Sequence, residues 1–147
     1  MEIKKQAQLK FKGVDILNIE YKAFQQFDKT KSKLNTQITP RIFFPKDSPS
    51  FFQILMTVEL SADDSFNLKV LAIGNFQFSG KISDKRKKIY SNANATAIMF
   101  PYVRAFISTL TSNLGVVTGT ILLPTQFFKG ELEEFKTEEK KEELIAQ

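Results

Sequence analysis

The sequence contains neither cysteine nor histidine. Without cysteine, the chain can form no disulfide, no thiolate metal site and no cysteine nucleophile. Because histidine is missing, the most common metal ligand and the most common general base are missing too. Serine, lysine and carboxylate residues are present, but no clustered arrangement of them stands out as a substitute. We therefore predict that the protein is not an enzyme and has no catalytic residue, no metal site and no cofactor.

Long hydrophobic runs are also missing from the sequence. No apolar stretch approaches the roughly 18 residues that a membrane-spanning helix needs. The first residues, Met1–Leu9, carry charge but no apolar core of a secretory signal. We therefore expect a soluble cytoplasmic protein with no membrane insertion. A chain of 147 residues is long enough to bury a core, and we predict a single domain over residues 1–147.

Charge is distributed unevenly along the chain. Residues 1–129 carry 18 basic and 9 acidic side chains, whereas residues 130–147 carry 3 basic and 7 acidic ones. A basic surface attracts nucleic acid or an acidic partner, so a nucleic-acid-binding module is an alternative hypothesis for the function. The basic run Lys85–Lys88 is short and has only Tyr90 as an aromatic neighbour, which favours a solvated loop. We therefore consider a nucleic-acid partner the weaker hypothesis.

Alternating apolar residues predict four strands within residues 1–82. The clearest alternation runs from Phe51 to Ser61, and a similar pattern returns from Phe66 to Ile82. Gly13 interrupts a long first strand and predicts a bulge or bend there. Pro40 in the second predicted strand favours an edge position or a break. Short polar turns between the strands predict an antiparallel meander.

One segment, residues 97–114, has a sustained helical period. Its apolar residues recur at spacings of three and four, and Pro101 lies near the expected start. Gly115 follows as a candidate left-handed helix end. We predict an irregular connection over residues 115–130 and an acidic second helix or tail over residues 131–147. Because the strands precede the helices, the expected fold class is α+β.

The 15 phenylalanines often occur in pairs, as in Phe43-Phe44, Phe51-Phe52 and Phe127-Phe128, with Phe76 and Phe78 close together. Neighbouring residues of a strand point to opposite faces, so one phenylalanine of a pair is expected to point away from the core. Such side chains are covered by a subunit interface, or they form an apolar groove for a client protein. Complete cover by a second helix is an equally strong alternative.

The run Met99-Phe100-Pro101-Tyr102-Val103-Arg104, followed by Ile107-Ser108-Thr109-Leu110-Thr111, resembles the helix signature of the SecB family of protein-export chaperones. Downstream, Leu122-Leu123-Pro124-Thr125-Gln126-Phe127 resembles the connection that follows this helix in the family. The resemblance implies a four-stranded antiparallel β-sheet followed by two helices on one side, and a homotetramer built as a dimer of dimers. It also implies an ATP-independent holdase that binds unfolded or nascent polypeptides, for export or as the chaperone of an antitoxin.

The resemblance also assigns roles to particular residues. The expected client-binding residues are aromatic or aliphatic and flank the predicted helix: Phe43, Phe44, Phe76, Phe78, Leu123, Phe127 and Phe128. The expected oligomer interface consists of the apolar residues of the helix itself: Met99, Tyr102, Val103, Phe106 and Leu110.

In the exporting proteins, an acidic patch on the sheet docks the motor protein SecA. Asp15 matches one acidic position of that patch, and Glu20 matches another within an offset of one residue. Lys69, however, stands where the family has an acidic residue, and Asn67 stands where it has an apolar one. Asp15 and Glu20 are therefore candidate docking residues, but Lys69 argues against SecA and favours a different role, such as service to a toxin–antitoxin system.

Overall fold

The structure is a computed structural model, and it describes residues 8–24, 33–63, 65–79, 83, 85, 94–125 and 133–134. These residues form four long strands, one helix and one very short strand. In chain order they are β1 (Gln8–Ala23), β2 (Leu34–Phe43), β3 (Phe51–Ala62), β4 (Phe66–Ser79), α1 (Ala95–Ser112) and β5 (Glu133–Glu134). The four long strands pair antiparallel and precede the helix. The α+β fold class is therefore confirmed.

The strand order in the sheet is β1-β4-β3-β2-β5. Strands β2, β3 and β4 follow one another as hairpins, but β1 lies beyond β4 instead of beside β2. This is a Greek-key order, and the predicted meander is wrong for the first strand. Alternation of side chains tells which residues share a face of a strand, but it carries no information on which strand becomes the neighbour.

Strand β1 is irregular at two points along its pairing with β4. The first lies between Phe11 and Val14, where Gly13 has a φ of 106°, so the predicted bulge is confirmed. The second lies between Ile16 and Asn18. β1 has one extra residue between Ile16 and Asn18. Alternate side chains that follow it therefore point to the same face of the sheet as Ile16. This second irregularity was not predicted from the sequence.

The main core lies between α1 and one face of the sheet. Phe52 of β3 stacks between Phe76 and Phe78 of β4, with ring centroids 5.1 and 4.9 Å away. Met99 and Val103 of α1 are fully buried above these strands. Burial of aromatic and aliphatic surface on this scale supplies most of the favourable free energy of folding.

Helix α1 begins at Ala95, two residues before the predicted start, and ends at Ser112. Pro101 therefore lies within the helix, in its second turn. Asn94 occupies the position before the first helical residue, but its side chain makes no capping hydrogen bond. Gly115 has the positive φ that was predicted, 104°, but it lies three residues beyond Ser112, and Asn113 is the residue that caps the helix. No helix of the described residues is long and apolar enough to cross a membrane.

The predicted second helix over residues 131–147 is wrong at its start. Glu133 and Glu134 form strand β5, which pairs parallel with Arg41 and Ile42 of β2. The backbone groups on the outer edge of β2 supply hydrogen bonds that a sequence rich in helix formers does not reveal. The rest of that predicted helix lies outside the described residues, as do Phe127 and Phe128.

Candidate binding groove

A groove lies where the connection after α1 meets one end of the sheet. Its volume is about 390 Å³. Strand β2 contributes Leu34, the β3–β4 turn region contributes Ala62, Ser65 and Phe66, and the connection contributes the remaining side chains. We call this the aliphatic groove, and its lining residues are Leu34, Ala62, Ser65, Phe66, Val116, Val117, Thr118, Thr120, Ile121 and Leu122.

The sheet side of the aliphatic groove is held together by the pairing of three strands. Ala62 pairs with Leu34 of β2 and with Phe66 of β4. The turn between β3 and β4 is closed by the backbone N–H of Ser65, which donates a hydrogen bond of 2.9 Å to the carbonyl oxygen of Ala62. Leu34 remains exposed at the rim, whereas Phe66 is buried in the floor.

Hydroxyl groups fix the other side of the groove to the end of α1. The hydroxyl of Thr111, fully buried in α1, donates to the carbonyl oxygen of Ile107 at 2.7 Å. The same oxygen accepts a hydrogen bond of 2.9 Å from the backbone N–H of Ile121. The hydroxyls of Ser112 and Thr120 are 2.9 Å apart. These bonds hold the connection against the helix in one arrangement.

A further hydrogen bond ties the connection to β1. The phenol hydroxyl of Tyr21 and the hydroxyl of Thr118 form a hydrogen bond across 97 residues of sequence. Within the connection, the backbone N–H of Gly119 donates to the carbonyl oxygen of Gly115 at 3.1 Å. As far as residue 125, the connection is therefore irregular, as predicted, and it is hydrogen-bonded to both α1 and β1.

The anchored connection leaves aliphatic side chains on its outer surface. Val116 is 82% exposed and Leu122 is 70% exposed, although both border the aliphatic groove. Exposed aliphatic side chains beside a groove are typical of a protein-binding site. The lining contains no charged side chain, and its polar side chains are those of Ser65, Thr118 and Thr120. The groove thus presents both aliphatic side chains and uncharged hydroxyl groups to a partner.

Comparisons with known proteins identify relatives of this chain. No protein-family model matches it. An uncharacterized protein of Methanocaldococcus jannaschii is 30% identical over 122 residues, which cover 79% of this chain and 78% of that protein. The chain belongs to the family of this archaeal protein.

A solved structure matches the fold. A SecB-like chaperone of Mycobacterium tuberculosis, in complex with a peptide of the HigA1 antitoxin, has a TM-score of 0.64 and 13% sequence identity. The match covers 81% of this chain and 88% of the other. The chain therefore has the SecB-like fold that the residues around Phe100 and Pro101 predicted.

Within this SecB-like fold, three predicted client-binding residues belong to the core. Phe76, Phe78 and Leu123 are at most 3% exposed. The prediction that they line an open groove is wrong for the chain described here, because α1 and the connection after it cover that face of the sheet. Phe44 is half-buried against the same core, with its ring 6.0 Å from that of Phe52.

Phe43 is separated from these residues by the sheet. It is buried on the face opposite α1, in a small cluster with Leu55 and Ile73. Phe43 and Phe44 therefore lie on opposite faces, as the alternation of a strand requires, but neither is an open groove residue. Phe127 and Phe128 lie outside the described residues, so their predicted role stays a prediction.

Sequence reasoning missed the exposed residues Val116 and Leu122. The connection that carries them has no regular period from which an inner and an outer face can be assigned. One signal was present: the pair Leu122-Leu123 precedes Pro124, and two adjacent leucines of an extended segment point in opposite directions. The exposed member of this pair is Leu122, and the buried member is Leu123.

The predicted oligomer interface of α1 divides into two groups. Met99 and Val103 are fully buried against the sheet of their own chain, so assigning them to a subunit interface is wrong. Tyr102 is 57% exposed, and its ring centroid lies 4.9 Å from that of Phe11 in β1. Phe106 and Leu110 are half-buried at the margin of the core. These three residues remain candidates for subunit contacts.

The candidate docking residues Asp15 and Glu20 both lie on the face opposite α1. Asp15 accepts a hydrogen bond of 2.9 Å from the side-chain amide of Asn75. The same amide lies 3.4 Å from the carbonyl oxygen of Gly13, and Asn75 accepts a hydrogen bond of 2.9 Å from Gln53. Asp15 thus helps to hold the bulge of β1, and its docking role stays a prediction.

Proposed function

We propose that this protein is an ATP-independent chaperone that holds unfolded polypeptides in the aliphatic groove. The observation that carries the proposal is the exposure of Leu122 and Val116 beside a groove without charged lining. The SecB-like fold supports it, because this fold is shared with a chaperone whose structure includes a bound peptide.

The groove would bind its client through burial of apolar surface. Each aliphatic side chain of the client that is removed from water contributes about 25 cal/mol of favourable binding free energy for each Å² of apolar surface buried. This interaction places little demand on the client sequence, which suits a holdase. Since Thr111 and Tyr21 already fix the connection, little conformational entropy of the groove is lost on binding.

The proposed clients are unfolded or nascent polypeptides, including an antitoxin. The SecB-like chaperone of Mycobacterium tuberculosis is bound to a peptide from an antitoxin. We extend that client class to this chain as a proposal, together with action in the cytoplasm and assembly into a homotetramer. Docking of SecA is not part of the proposal, since Lys69 stands where the docking patch of the exporting proteins has an acidic residue.

A substitution at the rim of the groove tests the function. We expect Leu122→Asp to weaken suppression of aggregation of a chemically unfolded client, because a carboxylate would be desolvated when the client covers it. Leu17→Asp is the matched control, since Leu17 is also an exposed leucine but lies on β1 away from the groove. We expect Leu122→Asp to lose at least fivefold in client affinity, whereas Leu17→Asp should keep the affinity of the unaltered protein.

The measurements are the light scattering of the aggregating client and the fluorescence anisotropy of a labelled unfolded peptide. Far-UV circular dichroism and denaturant unfolding check that both variants are folded. The proposal is wrong if the unaltered protein does not slow aggregation and binds no unfolded peptide, or if both variants retain full client affinity.

A further inference from the structure

The face of the sheet opposite α1 carries a strip of apolar residues. The side chains of Leu55, Leu71 and Ile73 alternate with the core residues of β3 and β4, so they point away from α1. They are nevertheless at most 4% exposed. Phe43 of β2 is also buried on this face, in contact with Leu55 and Ile73. We call these four residues the opposite-face cluster.

The described helix and strands do not account for the burial of this cluster. Helix α1 packs on the other face, and all the described strands belong to the sheet itself. The connection after α1 also lies on the α1 side, where Ile121 and Leu123 join the main core. An uncovered face of an antiparallel sheet keeps its side chains in contact with water. Burial to this degree therefore indicates that a further segment lies over the cluster.

Two polar side chains beside the cluster restrict the chemistry of this covering segment. Asn18 of β1 and Thr57 of β3 are the cross-strand neighbours of Leu71. The side-chain amide nitrogen of Asn18 and the hydroxyl oxygen of Thr57 are buried, and neither has a hydrogen-bond partner among the described residues. Buried polar atoms in folded proteins are nearly always hydrogen-bonded. The covering segment must therefore supply acceptor oxygens as well as apolar surface.

Strand β5 brings the end of the chain to the edge of the sheet beside this cluster. It runs parallel to β2 and ends at Glu134, which pairs with Ile42, one residue before Phe43. Residues 135–147 follow, and even as a helix they have a length of roughly 20 Å. The distance from β2 to β4 is about 10 Å, because adjacent strands are about 4.8 Å apart. The segment is therefore long enough to cross the cluster.

We propose that residues 135–147 fold back over the face opposite α1 and cover the opposite-face cluster. If the register of β5 continues by one residue, Phe135 lies beside Phe43 and points to the same face. The segment also has four glutamates, whose carboxylates can accept the hydrogen bonds that Thr57 and Asn18 offer. The centre of this face is then an internal docking site for the end of the chain and is closed to a partner protein.

Labelling of a single engineered thiol tests whether the segment covers this face. The natural chain has no cysteine, so a maleimide reacts only at the substituted position. We expect Thr57→Cys to react at least tenfold more slowly than Thr109→Cys, because Thr109 is exposed on α1. Adding Phe135→Asp to the full-length Thr57→Cys chain should raise its rate at least tenfold, since a carboxylate is costly to bury in an apolar cluster. Phe135→Leu is the matched control and should keep the rate slow.

Disulfide formation tests where the segment begins to cross the sheet. Phe43→Cys combined with Phe135→Cys should form a disulfide within one chain under mild oxidation, because paired residues of adjacent strands are within reach of such a bond. Thr39→Cys combined with Phe135→Cys is the matched control. Thr39 lies on the same face of β2 as Phe43, but four residues and about 13 Å away. Mass spectrometry of dilute protein distinguishes bonds within a chain from bonds between chains, and circular dichroism checks that each variant is folded.

The outcomes of the two experiments do not depend on the proposed chaperone function, because neither of them uses a client. The inference is wrong if Thr57→Cys reacts as fast as Thr109→Cys, or if Phe135→Asp leaves the slow rate unchanged. It is also wrong if Phe43→Cys and Phe135→Cys form no disulfide within one chain. A disulfide found only between chains would assign the cover to a second copy of the protein instead.

Discussion

Leu122 and Leu123 are chemically identical neighbours with opposite surroundings. The guanidinium Nε of Arg104 donates a hydrogen bond of 2.7 Å to the carbonyl oxygen of Leu123, which fixes the backbone beside α1. The side chain of Leu123 then enters the core and is 2% exposed, while that of Leu122 turns outward. One helix side chain thus helps to hold the backbone in the position where Leu123 is buried and Leu122 is exposed.

Gly74 determines how closely α1 approaches the sheet. A Cβ atom added to Gly74 would lie 2.6 Å from the sulfur of Met99 and 3.0 Å from a ring carbon of Phe76. Both neighbours are fully buried, so Gly74→Ala forces the core to rearrange. We expect it to lower the free energy of unfolding by about 1–3 kcal/mol, as overpacking does.

Urea unfolding of the Gly74→Ala variant measures this effect. The matched background is Met99→Ala, which removes the sulfur that the new methyl group would meet. In that background Gly74→Ala should lower the free energy of unfolding much less, because the new methyl group fills the space left by the Met99 side chain. An equal loss of unfolding free energy in both backgrounds would show that contact with Met99 is not the reason for glycine at this position.

The helix α1 and the connection after it act together at Thr111. Thr111→Val removes the hydroxyl that accepts a hydrogen bond from the buried backbone N–H of Ile121. An unpaired buried N–H costs about 1–3 kcal/mol, so we expect a loss of stability in that range. We also expect weaker client binding, since the aliphatic groove would no longer be held in one arrangement.

Hydrogen exchange of the Ile121 amide provides a direct measurement, because this amide should lose protection in Thr111→Val. Thr111→Ser is the matched control, since it retains the hydroxyl and should retain most of the protection and the affinity. Unchanged protection of Ile121 in the valine variant would contradict a role of Thr111 in fixing the groove.

The elements of this fold differ in how well the sequence predicts them. Strands β3 and β4 and helix α1 were predictable, because one face of each is buried and its apolar residues recur with a clear period. The position of β1 beside β4 and the strand at Glu133–Glu134 were not predictable. They depend on backbone pairing between distant segments, which leaves no local pattern in the sequence.

The candidate site was harder to predict than the fold. The abundance of phenylalanine correctly indicated a large apolar surface, but Phe52 and Phe76 stack on each other in the core. The two most exposed apolar residues, Val116 and Leu122, are aliphatic and lie on a connection whose path is set by hydroxyl groups such as that of Thr111. A site formed by such tertiary hydrogen bonds is visible only once the fold is known.

At the scale of the whole molecule, an exposed apolar margin runs along α1 and β1. Tyr102 is the exposed member, packed on Phe11, and Phe106 and Leu110 continue the margin along the helix. Strand β1 is at the edge of the sheet in the described part of the chain, so its outer backbone groups are available to a second copy. We therefore predict that this margin contributes to the proposed homotetramer.

Sedimentation velocity of a Tyr102→Asp variant tests this prediction. We expect a shift from tetramer to smaller species, because a buried carboxylate without a partner strongly disfavours an interface. Thr109→Asp is the control, since Thr109 is an exposed residue of the same helix and carries no apolar contact area comparable to that of Tyr102. A dispersed Tyr102→Asp variant that still binds unfolded peptide would show that each aliphatic groove is complete within one chain. A tetramer that withstands this substitution, or an unaltered protein that sediments as a monomer, would mean that the exposed margin is not a subunit interface.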